Sequence, residues 1–254
     1  MSNWYSNVEN FKKVNGYEID GIWYPRVTAI TKIKANPALY KWYADSASFS
    51  DAEKAKKTSA SEGSLLHEVV ESILSMPQGA DVEKIQEIPA SVRPAVEKFI
   101  EFKNQNKITP LSIEERAVSK KHGYAGTIDA LVELNGQIGV LDIKTSSGIW
   151  RDYGLQTAAY IEALNEKHFP LIKNRWILRL DQLKYCLSCG AKMREKGGVK
   201  KIKGGEKDCP HLWDDLKGEL EIQLLSDFQE DIKAFLAAKA LWEWENSYWL
   251  KQII

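Results

Sequence analysis

The sequence predicts an α/β fold in which helices flank a central mixed sheet and a small insertion interrupts the last strand pair. Three observations lead to this fold class. A helix-like stretch precedes three consecutive strand-like runs, another helix separates these runs from a further strand, and a long helical pattern ends the chain. The chain has 254 residues, which is enough for one substantial domain of this kind.

The predicted elements follow one another in a simple order. Turn residues at Asp20-Gly21 between two apolar runs predict a hairpin, and Ser61 or Ser64 could cap a helix whose apolar residues recur at helical spacing. In chain order, we expect a hairpin within 16–33, helices at 37–48, 61–75 and 90–106, strands near 112–119, 125–134 and 138–145, a helix at 153–166, strands at 176–180 and 218–224, and a long helix at 227–248.

Composition restricts the function classes. Lys and Arg together number 35, as do Asp and Glu, so attraction to an anionic polymer must come from local patches rather than from net charge. No apolar run approaches the length of a membrane span, and the first ten residues lack the apolar stretch of a secretory signal. We therefore expect a cytoplasmic protein with no membrane partner.

Two carboxylates and a lysine mark the ends of two adjacent predicted strands. Asp129 lies inside one apolar run, Asp142 lies near the end of the next, and Lys144 shares the face of Asp142 because strand side chains alternate. A divalent cation beside a phosphate suits this set. Asp129, Asp142 and the backbone carbonyl of Ile143 are the predicted ligands, and Lys144 would orient water and stabilise negative charge. The alternative interpretation is a strand-end salt bridge.

The order of these motifs resembles a known family. Across roughly 24–160, the chain is similar to the PD-(D/E)XK nuclease superfamily and specifically to its RecB-like branch, which includes CRISPR-associated exonucleases and many phage exonucleases. The residues that carry the resemblance are His67 in a helix, Asp129 in Gly-Thr-Ile-Asp, the run Asp142-Ile143-Lys144, and Gln156 with Tyr160 in the next helix. The resemblance implies a restriction-endonuclease-like core.

The resemblance also implies roles for further residues. His67 would be a metal ligand, and its imidazole would favour Mn²⁺ while leaving Mg²⁺ open; the alternative is a half-buried histidine with ordinary partners. Gln156 and Tyr160 share a helix face and would contact substrate phosphate and position the nucleic acid, unless they are a surface amide and a packed ring. Glu68 and Glu71 are interpreted as solvated helix residues.

Two weaker predictions concern neighbouring positions. Glu115, with Glu114 as its substitute, is a candidate accessory acid on the strand before Asp129, although a surface role is equally compatible with the sequence. Thr145 and Ser146 directly follow the lysine and could donate to phosphate.

The insertion, 183–215, contains all three cysteines. It is rich in Gly and Lys and shows little periodicity, so the nuclease domain is expected at 1–182 and 216–254. An odd number of cysteines argues against a disulfide framework. The spacing instead predicts a structural zinc site, formed by Cys186, Cys189, Cys209 and His211. Three reduced cysteines in a loop, or an iron–sulfur cluster, are the alternatives.

Basic residues concentrate between the cysteine pairs. Such a patch on a neutral protein could bind phosphates without sequence preference, although a solvated loop is the simpler alternative. The predicted nucleic-acid contacts in the insertion are Lys192, Arg194, Lys200, Lys201 and Lys203.

Together these features predict a metal-dependent DNA nuclease, with an exonuclease favoured, that uses Mg²⁺ or Mn²⁺ for catalysis and Zn²⁺ for structure. Its expected partner is DNA, as ends or single strands, and a recombination or repair protein would be compatible with this activity. A catalytically silent DNA-binding or assembly module, an endonuclease and an RNase are the alternatives that the sequence leaves open.

Overall fold

The computed structural model describes residues 5–77, 88–168 and 170–253. The helices in these ranges are α1 (Val8–Asn15), α2 (Val27–Thr31), α3 (Pro37–Asp45), α4 (Phe49–Leu74), α5 (Arg93–Gln105), α6 (Asp152–Asn165), α7 (Phe228–Glu245) and α8 (Ser247–Leu250). The strands are β1 (Gly16–Ile19), β2 (Ile22–Pro25), β3 (Ile108–Ser119), β4 (Tyr124–Leu134), β5 (Gln137–Lys144), β6 (Asn174–Tyr185), β7 (Lys192–Lys196), β8 (Val199–Lys203) and β9 (Lys217–Leu224).

A seven-stranded mixed sheet forms the centre of the protein. Its strand order is β3-β4-β5-β6-β7-β8, and β9 pairs with β6. β5 and β6 run parallel, while the other neighbours are antiparallel. Parallel neighbours need a crossover connection, and α6 provides it. The predicted α/β class with a central mixed sheet flanked by helices is therefore confirmed.

Helices cover both faces of this sheet. α4 and α5 pack on one face, and α2, α6 and α7 pack on the other. Leu141 and Ile143 of β5 belong to the apolar cluster under α4, whereas Val140 belongs to the cluster under α6. Because side chains alternate along a strand, Asp142 and Lys144 lie on the α6 side. The end of β5 is thus reached from one side by α4 and from the other by α6.

Two element predictions were wrong. The helix predicted at 61–75 is only the C-terminal half of α4. This helix begins after the N-cap residue Ser48, whose side chain accepts a hydrogen bond from the backbone amide of Asp51. Residues 49–60 lack an apolar stripe but are rich in Ala and Lys, which favour helix through intrinsic propensity. The insertion predicted as a loop contains the hairpin β7–β8, which joins the sheet through β6. Its polar side chains conceal the strand alternation.

Candidate metal centres

An open cleft of about 780 Å³ lies where α4 passes the end of β5. His67 and Glu71 reach it from α4, Glu114 from β3, Lys144 from β5 and Lys196 from β7. Four separate elements, one of them in the insertion, therefore build or border this cleft. Its walls contain both cationic and acidic groups, as expected for a site that holds a cation beside a phosphate.

Three potential ligands converge at the cleft, and we call them the carboxylate cluster: His67, Glu71 and Asp129. His67 Nδ1 lies 3.7 Å from Glu71 Oε1 and 3.9 Å from Asp129 Oδ2. Ligands bonded at about 2.1 Å in octahedral geometry would be separated by about 3.0 Å when adjacent and about 4.2 Å when opposite. The observed distances fall in this interval, so the cluster fits one divalent cation after small side-chain rotations.

The electrostatics of the carboxylate cluster also suit a cation. Burial, and then the charge of Lys144, lowers the pKa of His67, which keeps the ring in the neutral form that binds metals. Burial raises the pKa of Asp129. Burial, followed by the charges of Glu114 and Asp129, raises the pKa of Glu71 to about 7. A bound cation would relieve this crowding of acidic groups.

Asp142 and Lys144 form a buried ion pair beside the carboxylate cluster. Asp142 is completely buried, and its Oδ2 lies 2.6 Å from Lys144 Nζ. Its Oδ1 has no hydrogen-bond partner in the part of the chain that the structure describes. Burial raises the pKa of Asp142 to about 6, although Lys144 opposes the shift. Burial alone would lower the pKa of Lys144, but the charges of Asp142 and Asp129 raise it.

The backbone of Ile143 links the two groups. Its amide donates to Asp129 Oδ2 over 2.7 Å. The Ile143 backbone also lies close enough to the His67 ring to raise the pKa of that histidine. The role of the Ile143 carbonyl as a ligand stays a prediction. Among the described residues, Asp142 does not belong to the carboxylate cluster, and its role as a ligand also stays a prediction.

Gln156 and Tyr160 continue the network on the α6 side. Lys144 Nζ lies 3.4 Å from Gln156 Oε1, and Gln156 Nε2 donates to the Tyr160 hydroxyl over 2.8 Å. Tyr160 is only 2 % exposed and packs against Gly126. Neither Gln156 nor Tyr160 is among the residues that line the cleft; Lys144 connects them to it, and their contact with substrate phosphate stays a prediction.

Sequence reasoning missed several residues of the cleft. Glu71 was interpreted as solvated, which is wrong because its side chain is 15 % exposed and belongs to the carboxylate cluster. Its spacing of four from His67 was the available signal. Glu114, rather than Glu115, lines the cleft, since Glu115 accepts from Ser112 and borders a different surface. Tyr153 was also missed; Lys144 Nζ lies 5.1 Å from its ring centre.

A second set of potential ligands lies at the base of the β7–β8 hairpin, and we call it the thiol cluster: Cys186, Cys189, Cys209 and His211. The Sγ atoms of Cys186 and Cys209 are 3.7 Å apart, and Cys189 Sγ is 3.4 Å from His211 Nδ1. Tetrahedral zinc with ordinary bond lengths requires about 3.8 Å between two sulfurs and about 3.6 Å between sulfur and nitrogen. The cluster thus has the dimensions of a zinc site.

The backbone around the thiol cluster supports ligand binding. Burial favours the neutral thiol of Cys186, but hydrogen bonds from the Cys189 backbone and the His211 side chain lower its pKa to about 6. The thiolate is the form that binds metals. Gly190 adopts a φ of +70°, which allows the chain to turn back directly after the second cysteine. Four convergent donors with this chemistry could bind a metal such as zinc.

The basic residues of the insertion divide into two groups. Arg194 lies 2.7 Å from Asp181 Oδ2 and also donates to the Thr145 carbonyl, so its guanidinium is engaged within the protein. Lys192 lies 3.5 Å from Glu219. Lys200, Lys201 and Lys203 on β8 are exposed, and Lys200 Nζ lies 3.6 Å from Glu195 Oε2. The predicted phosphate-binding patch is therefore smaller than the sequence indicates.

In the described part of the chain, no helix combines the length and the apolar character that a membrane span needs. Comparison with models of known protein families yields no match, and comparison with curated proteins yields none.

Proposed function

We propose that this protein is a divalent-metal-dependent DNA nuclease on a restriction-endonuclease-like core, which hydrolyses phosphodiester bonds in the cleft at the end of β5. The observation that carries the proposal is the convergence of the carboxylate cluster with the Asp142–Lys144 pair. Oxygen and imidazole ligands beside a fixed ammonium are the groups that metal-assisted phosphodiester hydrolysis requires. The order of the sequence motifs supports the same assignment.

The chain's own residues have separate tasks in this proposal. His67, Glu71, Asp129 and the Ile143 carbonyl would hold Mg²⁺ or Mn²⁺, which when bound supplies an acidified water and neutralises phosphate charge. Asp142 keeps Lys144 protonated, because the pKa of that lysine is raised. Lys144 can then donate to a phosphate oxygen as negative charge develops. Gln156 limits the positions that the ammonium can adopt.

DNA is the proposed substrate because the cleft is open and carries the lysines Lys56 and Lys144 in its walls. Such lysines bind a phosphate backbone without reading its bases. The likeness to RecB-like nucleases favours attack from a DNA end. We further propose that the thiol cluster holds a structural zinc ion that orders the insertion.

The direct test is cleavage of end-labelled linear DNA in Mn²⁺ or Mg²⁺ by wild type, Asp129→Asn and Lys144→Ala. Glu115→Gln is the matched control, since this residue lies on β3 but not in the cleft. We expect wild type and Glu115→Gln to degrade DNA and the other two to be inactive. Equal degradation by all four would show a contaminating nuclease and end the assignment of this site.

The same assay separates the alternatives. Loss of circular DNA at the rate of linear DNA would favour an endonuclease, and preferential loss of RNA would favour an RNase. A wild type that binds DNA but cleaves nothing in either metal would favour the silent binding or assembly module. Elemental analysis tests the zinc proposal independently, because a brown protein with iron would identify an iron–sulfur cluster instead.

A further inference from the structure

The β7–β8 hairpin crosses the end of β5 and contacts the residue that follows Lys144. Lys196 Nζ donates to Thr145 Oγ1 over 2.7 Å and also to the Thr145 carbonyl. Arg194 donates to that same carbonyl over 3.0 Å. Two cations from the insertion therefore hold the backbone carbonyl of Thr145, the residue that directly follows the proposed catalytic lysine.

The hairpin is fixed on both sides of these contacts. Arg194 Nε lies 2.9 and 2.7 Å from the two carboxylate oxygens of Asp181 on β6. At the tip, the amide of Gly197 donates to Glu62 Oε2 on α4 over 3.0 Å. Gly197 has a φ of +60°, and a side chain there would come within 2.3 Å of the Ala55 carbonyl. The tip thus packs against α4 without room for a Cβ.

The base of the hairpin is held by the thiol cluster. Cys189 lies three residues before the start of β7, and Cys209 lies six residues after the end of β8. Packing reinforces this junction, because a Cβ on Gly205 would lie 2.7 Å from Cys189 Sγ. A metal in the thiol cluster would therefore fix the two ends of the hairpin relative to each other.

The contact between Lys196 and Thr145 is partly buried. The side chain of Lys196 is partly buried at the cleft wall, and burial, with the charge of Arg194, lowers its pKa to about 8. Thr145 fits under the hairpin because α4 carries a glycine there; a Cβ on Gly63 would lie 2.9 Å from Thr145 Oγ1. Burying a lysine is costly unless its hydrogen bonds are satisfied, and here Thr145 satisfies them.

We propose that Lys196 and Arg194 are positioning residues that couple the metal-held insertion to the orientation of Lys144. By fixing the Thr145 peptide, they restrict the backbone from which the Lys144 ammonium reaches Asp142 and the cleft. Loss of the metal from the thiol cluster would release the base of the hairpin and loosen this peptide. The kinetic part of the inference rests on the proposed nuclease function, whereas the structural part does not.

Amide hydrogen exchange of the full-length protein tests the structural part. In Lys196→Met, we expect exchange of the segment 143–146 to rise by about 10-fold, since the peptide loses its buried donor. Lys196→Arg should restore most of the protection. Lys200→Met is the matched control on the facing strand, where the lysine is exposed, and it should leave the segment unchanged.

Two further variants test whether misfolding of Lys196→Met explains its raised hydrogen exchange. Thr145→Val keeps the branched side chain but removes its hydroxyl, so it should raise exchange less than Lys196→Met. Cys189→Ser should raise exchange in 143–146 although the serine does not touch this segment. Wild-type protection of the segment in both Lys196→Met and Cys189→Ser would overturn the inference.

Kinetics test the link to Lys144. We expect Lys196→Met to lower kcat by about 10- to 100-fold with KM nearly unchanged, because small misplacements of a catalytic group have effects of this size. Recovery of kcat in Lys196→Arg supports positioning, whereas a change in KM alone would show that Lys196 only binds substrate and would overturn it. If the wild type cleaves no nucleic acid, the proposed function fails, and hydrogen exchange alone decides the structural inference.

Discussion

The two candidate metal centres differ in ligand chemistry and in access. The thiol cluster has four donors, three of them sulfur, drawn from one short insertion. The carboxylate cluster has imidazole and carboxylate donors from a helix and a strand, and it opens into a cleft. Three thiolates and an imidazole complete a tetrahedral ion and leave no position for a substrate, whereas two carboxylates and an imidazole leave positions for water and phosphate.

This difference shows how one chain can use two metals for separate purposes. Thiolates select zinc and related soft ions, and carboxylates select Mg²⁺ or Mn²⁺. The first ion would act on the position of a hairpin, and the second would act on a phosphodiester. The first two predictions below change one cluster by substitution and measure both DNA cleavage and zinc content.

The largest effect is expected from Asp129→Asn. It replaces a charged potential ligand of the carboxylate cluster with a neutral amide, which keeps one oxygen that can accept from the Ile143 amide. We expect cleavage of DNA to fall by roughly 10³-fold while the zinc content stays that of the wild type. Nuclease rates and elemental analysis on the same preparation provide the measurement. A parallel loss of zinc would mean that the two centres are not independent.

Cys189→Ser should affect both centres. We expect zinc to be lost and hydrogen exchange across 192–203 to rise, because the insertion has little apolar core without a metal. Cleavage should fall by about 10- to 100-fold through the displaced Thr145 peptide. Ser188→Ala, between the two cysteines, is the control and should retain zinc. Full zinc retention by Cys189→Ser would rule out the predicted ligand set.

The pH dependence of the carboxylate cluster should reflect Glu71. Burial and two acidic neighbours raise the pKa of Glu71 from 4.5 to about 7, so between these values the folded, metal-free protein binds more protons than the unfolded chain. The unfolding free energy should therefore increase as the pH falls from 7.5 to 5, by an amount on the order of 1 kcal/mol from this group. Mn²⁺ affinity should change in the other direction and rise with pH, because only the carboxylate binds the ion.

Glu71→Gln provides the comparison for both trends. Urea unfolding of metal-free protein at pH 5.5 and pH 7.5 should show a smaller pH effect in the variant than in the wild type. Titration with Mn²⁺ should show weaker binding and a flatter pH profile. If the variant keeps the pH profile of the wild type, the titration belongs to another group, such as Asp142, whose pKa is raised to about 6.

The smallest effect is expected from Lys200→Ser combined with Lys201→Ser. Both lysines are exposed on β8, so they can contribute only sequence-independent attraction to phosphate. We expect KM for DNA to rise a few-fold with kcat unchanged, and the salt dependence of binding to weaken by about one to two counterions. If the variant and the wild type bind DNA equally well across a series of salt concentrations, these lysines belong to a solvated surface that does not contact DNA.

The sequence was informative wherever a local pattern has a direct structural meaning. Apolar runs located β4, β5 and α6, and the spacing of the cysteines with His211 anticipated the thiol cluster. It failed for Glu71, because a glutamate on an amphipathic helix looks solvated until the helix is docked beside Asp129. It also failed for Lys196 and Arg194, since nothing local indicates that a polar hairpin folds back onto Thr145.

The locality of the thiol cluster has a consequence for the order of assembly. Its ligands are close in sequence, so the loop that they close is short, and closure entropy grows with loop length. In the carboxylate cluster, the number of residues between His67 and Asp129 is more than twice the number between Cys186 and His211. This cluster also forms only after α4 has docked on the sheet. During refolding with zinc present, the insertion can form its hairpin before the cleft exists, and α4 then docks against a tip that is already built.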